Sequence, residues 1–174
     1  IADHSTNARF TAAALLAQAE HSPGASILIT WCPEMIGATL AELESQEARL
    51  SRSDLTRQSL EQFGTLILVR DPEEACRLTD AIAPEHLHIA TDDAERLAAQ
   101  IQNAGATFLG NFSPVAVGDY VAGPSHVLPT SGTARWAAGL TANDFLRSSS
   151  LIHYTQVGLR SVADDVRRLA DKEG

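Results

Sequence analysis

Apolar and polar residues follow helical and strand periods in turn along most of the chain. Residues 8–21 are rich in alanine and leucine at helical spacing, and residues 5–7, Ser-Thr-Asn, precede them as candidate N-caps. The segment 22–24, Ser-Pro-Gly, is expected to end this helix, and the β-branched apolar run 25–31 is typical of a buried strand. The pattern therefore predicts a helix followed by a strand.

The same succession continues as far as residue 110. Residues 34–62 are charged and helical in period, with a break near residues 51–53 that predicts two helices, and an apolar strand follows at 64–70. Asp71 as a cap and Pro72 at the first helical position then mark the start of another helix. The remaining elements that the pattern predicts are helices over 71–83 and 92–105, the second closed by a glycine, and strands at 86–90 and 106–110.

Strands separated by helices predict an α/β fold, with a mostly parallel sheet flanked by helices in an incomplete Rossmann-like domain over residues 1–140. Ligands of such sheets collect beyond the carboxyl ends of the strands. Residues 111–141 have little periodicity and many Gly, Pro, Ser and Thr residues, which favours a functional or interfacial loop. A short helix, a strand at 150–155 and an amphipathic terminal helix predict a small C-terminal extension over 141–174, packed on a partner subunit.

Composition and charge narrow the classes of function. With 174 residues, 44% of them hydrophobic, the chain can form one core of moderate size. The net charge of -9 and the absence of a basic cluster interleaved with aromatics argue against nucleic acid as a partner. No apolar run approaches the roughly 20 residues that span a bilayer. Two cysteines without CxxC spacing and the lack of a signal-peptide pattern predict a cytoplasmic protein.

Three places carry side chains suited to metal binding or proton transfer. Gln18 and His21 lie three residues apart and share one face of the first helix, where a carbonyl oxygen and an imidazole can hold a cation such as zinc. Taken alone the pair is a weak signal, and a solvated Gln with a His that stabilises the helix C-terminus through its dipole is the favoured alternative.

The second place is the start of the third strand. Glu85 and His86 follow Pro84 directly, and an adjacent carboxylate and imidazole can divide proton transfers between them. Neighbours in a regular strand point to opposite faces, so both side chains reach one site only if Pro84 holds them in a turn. The alternative is an ordinary polar strand edge.

The third place is the loop 118–130, GDYVAGPSHVLPT. Asp119 offers an anionic oxygen and His126 a ring nitrogen, in a segment stiffened by Pro124 and Pro129. The alternative is that Asp119 caps a helix and that His126 is an ordinary loop histidine without a functional role.

Taken together, these segments resemble histidinol dehydrogenase. The stretch GNFSPVAVGDYVAGPSHVLPTSGTARWAAGL resembles the signature region of that family, and LLAQAEH and APEHL lie upstream in the family's order. The resemblance covers residues 1–173. It implies a zinc-dependent, NAD-linked oxidation of L-histidinol through histidinaldehyde to L-histidine, carried out by a homodimer whose active sites are shared between subunits.

The resemblance also implies roles for particular residues. Gln18, His21 and Asp119 match three zinc ligands, which also contact the substrate. In such a site the metal acts chiefly as a template for the amino and imidazole nitrogens of the substrate.

Four further positions match catalytic or substrate-contacting residues of the family. Glu85 and His86 match the acid/base pair, in which His86 takes the alcohol proton and also contacts substrate, and Glu85 activates water for the second oxidation. His126 and Glu173 match substrate contacts, and Glu173 would serve the site of the partner subunit.

Two parts of the family pattern are not found in this sequence. A fourth zinc ligand would be a histidine a few residues beyond Glu173, and the nucleotide-binding segment and a substrate-contacting serine would precede Ile1. The chain begins without Met and ends within a helical pattern, which suggests a piece of a longer enzyme that is inactive and binds zinc weakly alone. A related dehydrogenase for another small polar alcohol and a non-catalytic fragment are the alternatives.

Overall fold

Helices and parallel strands alternate through most of the chain, as the periodicity predicts. The computed structural model describes residues 1–21, 24–50 and 53–174. Ser22, Pro23, Ser51 and Arg52, where a helix end and a helix break are expected, lie outside the described residues. In chain order the elements are α1 (Ala8–Ala19), β1 (Ser26–Thr30), α2 (Pro33–Glu47), α3 (Ser53–Phe63), β2 (Gly64–Leu68), α4 (Pro72–Ile82), β3 (His86–Ile89), α5 (Ala94–Ala98), β4 (Ala106–Leu109), α6 (Val115–Tyr120) and α7 (Gln156–Glu173).

The strands form two parallel pairs that the first residues of the chain connect. β1 pairs with β2, and β3 pairs with β4. Residues 1–3 lie between the pairs: the N–H of Ala2 donates to the carbonyl of Ile29 in β1 at 3.1 Å, and Ala2 forms a parallel bridge with Ala90 after β3. The prediction of a mostly parallel sheet flanked by helices is confirmed.

The buried residues lie where the helices pack on β1 and β3. Leu28 packs with Leu15 and Met35, and Ile89 packs with Leu97. Alternate residues of β3 are buried, which is the period of a strand with one face in the core. The core therefore holds β1 and β3 firmly, and it fixes the position of the residues at their ends.

Local end signals place two helices correctly. The Asn7 side chain accepts a hydrogen bond from the N–H of Arg9 at 2.9 Å, and the Asp71 carboxylate accepts one from the N–H of Glu74 at 2.7 Å. Pro72 follows Asp71 in the first turn, where its missing N–H costs no hydrogen bond.

The helix predicted over 92–105 is wrong in length. α5 ends at Ala98, because a side chain of α4, that of Asp80, hydrogen-bonds to the backbone that follows α5. The Asp80 carboxylate accepts hydrogen bonds from the N–H groups of Gln102 and Asn103 at 2.7 and 2.8 Å. These N–H groups would bond to carbonyls four residues earlier in a helix, so this tertiary contact ends the helix early.

Two further expectations for the second half of the chain are corrected. Residues 115–120, expected to lack periodic structure, form α6, which at six residues is too short for its period to be read. The strand expected at 150–155 is absent, and Leu151 and Ile152 are 98% and 78% exposed. A strand needs a neighbour to accept its backbone hydrogen bonds, and no described strand pairs with this segment.

The chain divides into two compact units, Ile1–Thr141 and Ala142–Gly174. The second unit contains a short 3₁₀ helix at Ala142–Phe145 and α7, whose N-cap Thr155 accepts from the N–H of Gly158. In the described part of the chain no helix is long and apolar enough to cross a membrane.

Candidate active site

The chain enters β3 through a tight left-handed turn. α4 ends at Ile82, and the buried Ala83 has φ 52° and ψ 64°. Its N–H donates to the carbonyl of Thr79 at 2.8 Å. A residue with a Cβ adopts this conformation at a cost of about 1–2 kcal/mol, so the surrounding packing holds the turn. The turn delivers Pro84 and Glu85 to the amino end of β3.

Backbone pairing fixes Glu85 although it precedes the regular strand. The N–H groups of Gly105 and Ala106 donate to the carbonyls of Pro84 and Glu85, each at 2.9 Å. Glu85 is half-buried and lies in a bend, so the alternation of a regular strand does not govern its side chain. Glu85 thus lies in a bend directly before the first residue of β3.

His86 and Asp119 face each other. His86 is the first residue of β3, and its Nε2 lies 3.9 Å from Oδ1 of Asp119; the side chains are 16% and 35% exposed. This separation is too long for a hydrogen bond. Among the described residues neither ring nitrogen of His86 has a hydrogen-bond partner. The imidazole of His86 thus has two ring nitrogens without partners in the described part of the chain and a carboxylate facing one of them.

Gly118 allows α6 to bring Asp119 so close. A Cβ on Gly118 would lie 2.6 Å from both Cε1 and Cζ of Phe108, so no larger residue fits without a shift. The same Phe108 ring lies 6.3 Å from the His86 ring, centroid to centroid, at an interplanar angle of 37°. The ring of Phe108 thus contacts the backbone of α6 and neighbours the imidazole of His86.

The loop after α6 reaches the strand ends because a glycine leaves space for it. Pro129 is buried, and a Cβ on Gly105 would lie 3.2 Å from its Cδ and 2.5 Å from the carbonyl oxygen of Glu85. Glycine at residue 105 thus lets the loop pack against the backbone that carries Glu85.

Arg135, which follows this loop in the chain, connects it to α4 through hydrogen bonds. Its guanidinium donates to the carbonyls of Ala81 and Gly132. α4 has no basic residue in its own last turn, so Arg135 satisfies one of the carbonyls left open at that helix end. The loop is thereby tied to the turn that leads into β3, and its His126 is exposed.

Gln18 and His21 lie at the end of α1, ahead of β1. Gln18 is half-buried and His21 is exposed. A Cβ on Gly24 would lie 2.3 Å from the carbonyl oxygen of Gln18, so the backbone of Gly24 packs closely on this carbonyl. No three His, Cys, Asp or Glu side chains within residues 1–21, 24–50 and 53–174 are grouped so as to hold a metal ion.

The remaining candidates differ in setting. Glu173 is exposed and is the last residue of α7, in the second compact unit. His88, two residues after His86, is half-buried, and its Nε2 donates to the carbonyl of Gly110 at 2.8 Å. Burial lowers the pKa of His88, so this histidine is a neutral structural residue.

Sequence reasoning missed the residues that support the site. Phe108 resembles any apolar strand residue, and only the structure shows its ring beside His86. Gly118 directly before Asp119 and Gly105 at the end of a polar run are the signals that were available. These two positions need glycine because residues distant in the sequence pack against them, and a local sequence pattern does not reveal such contacts.

The fold and the site together define the class of protein. It is an α/β protein in which an imidazole and a carboxylate face each other at the amino end of a parallel strand, beside a loop that is hydrogen-bonded to the helix preceding that strand. The chain belongs to the histidinol dehydrogenase family, whose model, described as "Histidinol dehydrogenase", matches residues 1–174.

Individual relatives agree with this assignment. The chain is 57% identical over 174 residues to histidinol dehydrogenase of Rhodopirellula baltica, covering 100% of this chain and 38% of the relative. It is 43% identical over 175 residues to that of Clostridium acetobutylicum, covering 100% and 41%. The crystal structure of histidinol dehydrogenase from Elizabethkingia anophelis matches with a TM-score of 0.89 at 34% identity, over 99% of this chain and 40% of that one. The chain thus spans well under half the length of these relatives.

Proposed function

We propose that the complete protein oxidises L-histidinol through histidinaldehyde to L-histidine with NAD, and that this chain supplies its acid/base pair and most of its zinc ligands. The supporting observation is His86, which has two ring nitrogens without partners in the described structure and a carboxylate 3.9 Å away, in a chain that the family model covers throughout. The reaction removes a proton and a hydride from the alcohol, adds water to the aldehyde, and removes a second proton and hydride from the hydrate.

His86 acts as the base in the first oxidation. A neutral imidazole nitrogen without a partner can accept the hydroxyl proton of the substrate as the hydride leaves. The Asp119 carboxylate lies 3.9 Å from Nε2 of this imidazole. Glu85, held by the backbone of β4 in the bend before His86, activates the water for the second oxidation.

Gln18, His21 and Asp119 are proposed to hold zinc. Their imidazole nitrogen and their carboxylate and amide oxygens are ligand types compatible with zinc. When bound, the ion would supply a template for the amino and imidazole nitrogens of the substrate. His126, which is exposed in the loop, is proposed to contact the same substrate.

The second compact unit is proposed to pack on another copy of the protein. α7 has no buried residue, and Leu159, Val166 and Leu169, at helical spacing on one side, are 55%, 56% and 66% exposed. Glu173 follows Val166 by seven residues, so it lies at the end of the same stripe. A second copy of the protein that packed on this stripe would also contact Glu173, which supports an active site shared between subunits.

The substrate is tested with the complete polypeptide on a series of small polar alcohols with and without an imidazole ring. L-histidinol should be oxidised fastest, with two NADH formed per molecule. Faster oxidation of an alcohol without imidazole would show a related dehydrogenase instead.

The role of Glu85 is tested with histidinaldehyde supplied directly. Glu85→Gln should slow this second oxidation by about a hundredfold to ten-thousandfold, the usual range for a general acid or base. His4→Asn, at a 69% exposed histidine, is the matched control and should keep the wild-type rate. Equal rates for Glu85→Gln and wild type would refute the assignment.

A further inference from the structure

The orientation of His86 has no hydrogen bond to explain it. Catalytic histidines are ordinarily oriented by a hydrogen bond to one ring nitrogen, which fixes the tautomer and the direction of the other. Among the described residues neither Nδ1 nor Nε2 of His86 has such a partner, although the side chain is only 16% exposed. The ring must therefore be held by packing.

Phe108 is the aromatic neighbour that supplies this packing. In the parallel pair of β3 and β4, His86 is opposite Ala106 and His88 is opposite Phe108. Residues two apart on a strand share a face, so Phe108 lies diagonally across from His86 on the same side of the sheet. The ring centroids are 6.3 Å apart and the planes are inclined by 37°, within the range of a favourable aromatic contact.

The same ring also determines how closely α6 approaches. The backbone of Gly118 is packed so tightly on Phe108 that a Cβ would stand 2.6 Å from two of its ring carbons. Asp119 is the next residue, and its Oδ1 is 3.9 Å from His86 Nε2. The Phe108 ring thus neighbours the imidazole of His86 directly and packs on the residue that precedes Asp119.

We propose that Phe108 is the positioning residue of this site: its ring orients the imidazole of His86 and sets the distance of the Asp119 carboxylate, with Gly118 as the residue that lets α6 rest on it. This inference rests on the proposed function, because it assigns Phe108 a part in the proton transfer of His86. Phe108 itself contacts no reacting atom.

The first test replaces the ring in the complete polypeptide. Phe108→Leu should lower kcat for histidinol oxidation about tenfold to a hundredfold, the order of loss caused by a displacement of about 1 Å in a reacting group. KM for histidinol should change less than kcat does, since the proposed substrate contacts Gln18, His21 and His126 are not touched by the substitution. Thr107→Val, at an exposed position on the opposite face of β4, is the control and should keep the wild-type kcat. Wild-type kcat in Phe108→Leu would overturn the proposal.

A double-variant cycle tests the contact with Gly118. Gly118→Ala alone should lower kcat because its methyl group meets the Phe108 ring, and adding Phe108→Leu should restore part of the loss because the smaller side chain leaves room. Losses that simply multiply would contradict a shared role. Phe108→Met, which fills a similar volume without a ring, gives the same comparison if Phe108→Leu folds poorly.

A spectroscopic measurement separates this inference from the proposed function. In histidine-labelled protein at fixed pH, the His86 ring signals, assigned by their loss in His86→Asn, should shift in Phe108→Leu and stay unchanged in Thr107→Val. Unchanged signals in Phe108→Leu would overturn the positioning role. A wild-type protein that does not oxidise histidinol would refute the proposed function, while these signals would still decide whether Phe108 orients the ring.

Discussion

Ser59 connects α3 to the segment that follows α1, and its replacement is expected to destabilise the protein measurably. The hydroxyl accepts a hydrogen bond from the N–H of Gly24 at 3.1 Å and donates to the carbonyl of Gly24 at 3.0 Å. Ser59 is 1% exposed, and Gly24 is buried. One side chain therefore satisfies both backbone groups of a buried glycine.

The magnitude follows from those two bonds. Ser59→Ala leaves a buried N–H and a buried carbonyl unpaired, each at a cost of about 1–3 kcal/mol. Alanine regains about 0.5 kcal/mol through its higher helix propensity. The free energy of unfolding should thus fall by about 1.5–5.5 kcal/mol. Because Gly24 is packed against the carbonyl of Gln18, the end of α1 should loosen with it.

Urea unfolding of the complete polypeptide, followed by circular dichroism, measures this loss as a shift of the midpoint at unchanged slope. Ser45→Ala is the matched control, because Ser45 is exposed on α2, and it should change the free energy of unfolding by less than about 0.5 kcal/mol. If Ser59→Ala and Ser45→Ala gave the same midpoint, the reasoning from the buried hydrogen bonds would be wrong.

Three other perturbations have defined outcomes. Asp71→Ala should lower the unfolding free energy by about 1 kcal/mol through loss of the cap, whereas Asp93→Ala, whose side chain makes no cap bond, should cost little; denaturant midpoints compare them. Gly105→Ala should cost about 1–3 kcal/mol by overpacking, measured by thermal unfolding against Gly37→Ala, which meets nothing within 4 Å. Burial lowers the pKa of His88 below its ordinary value of about 6.5, so the unfolded chain binds more protons there and stability should fall as pH drops below about 6.5; unfolding titrations in which His88→Gln keeps the wild-type slope would contradict this.

Local signals in the sequence predict the elements whose ends depend on neighbouring residues. Asp71 and Pro72 start α4 because a cap and a proline act within one turn. The apolar residues at the centre of β1, Leu28 and Ile29, and the alternate apolar residues of β3, Leu87 and Ile89, are the strand positions buried in the core. The parallel arrangement then follows from the helices between the strands.

Contacts between distant residues account for what the sequence did not predict. α5 stops at Ala98 because Asp80, on α4, accepts the N–H groups beyond it, and no pattern within 92–105 contains that carboxylate. In the candidate site, the residue types of His86 and Asp119 were visible, but Phe108 was not, because its role depends on a ring contact between strands.

The most direct test of the account is a single-turnover measurement of NADH formation from L-histidinol by the complete polypeptide, wild type against His86→Asn. The account predicts a loss of about a hundredfold to ten-thousandfold in the rate of the first oxidation, because the asparagine cannot accept the alcohol proton. An unchanged rate in His86→Asn would contradict the assignment of His86 as the base and would leave the His86–Asp119 pair without a catalytic role.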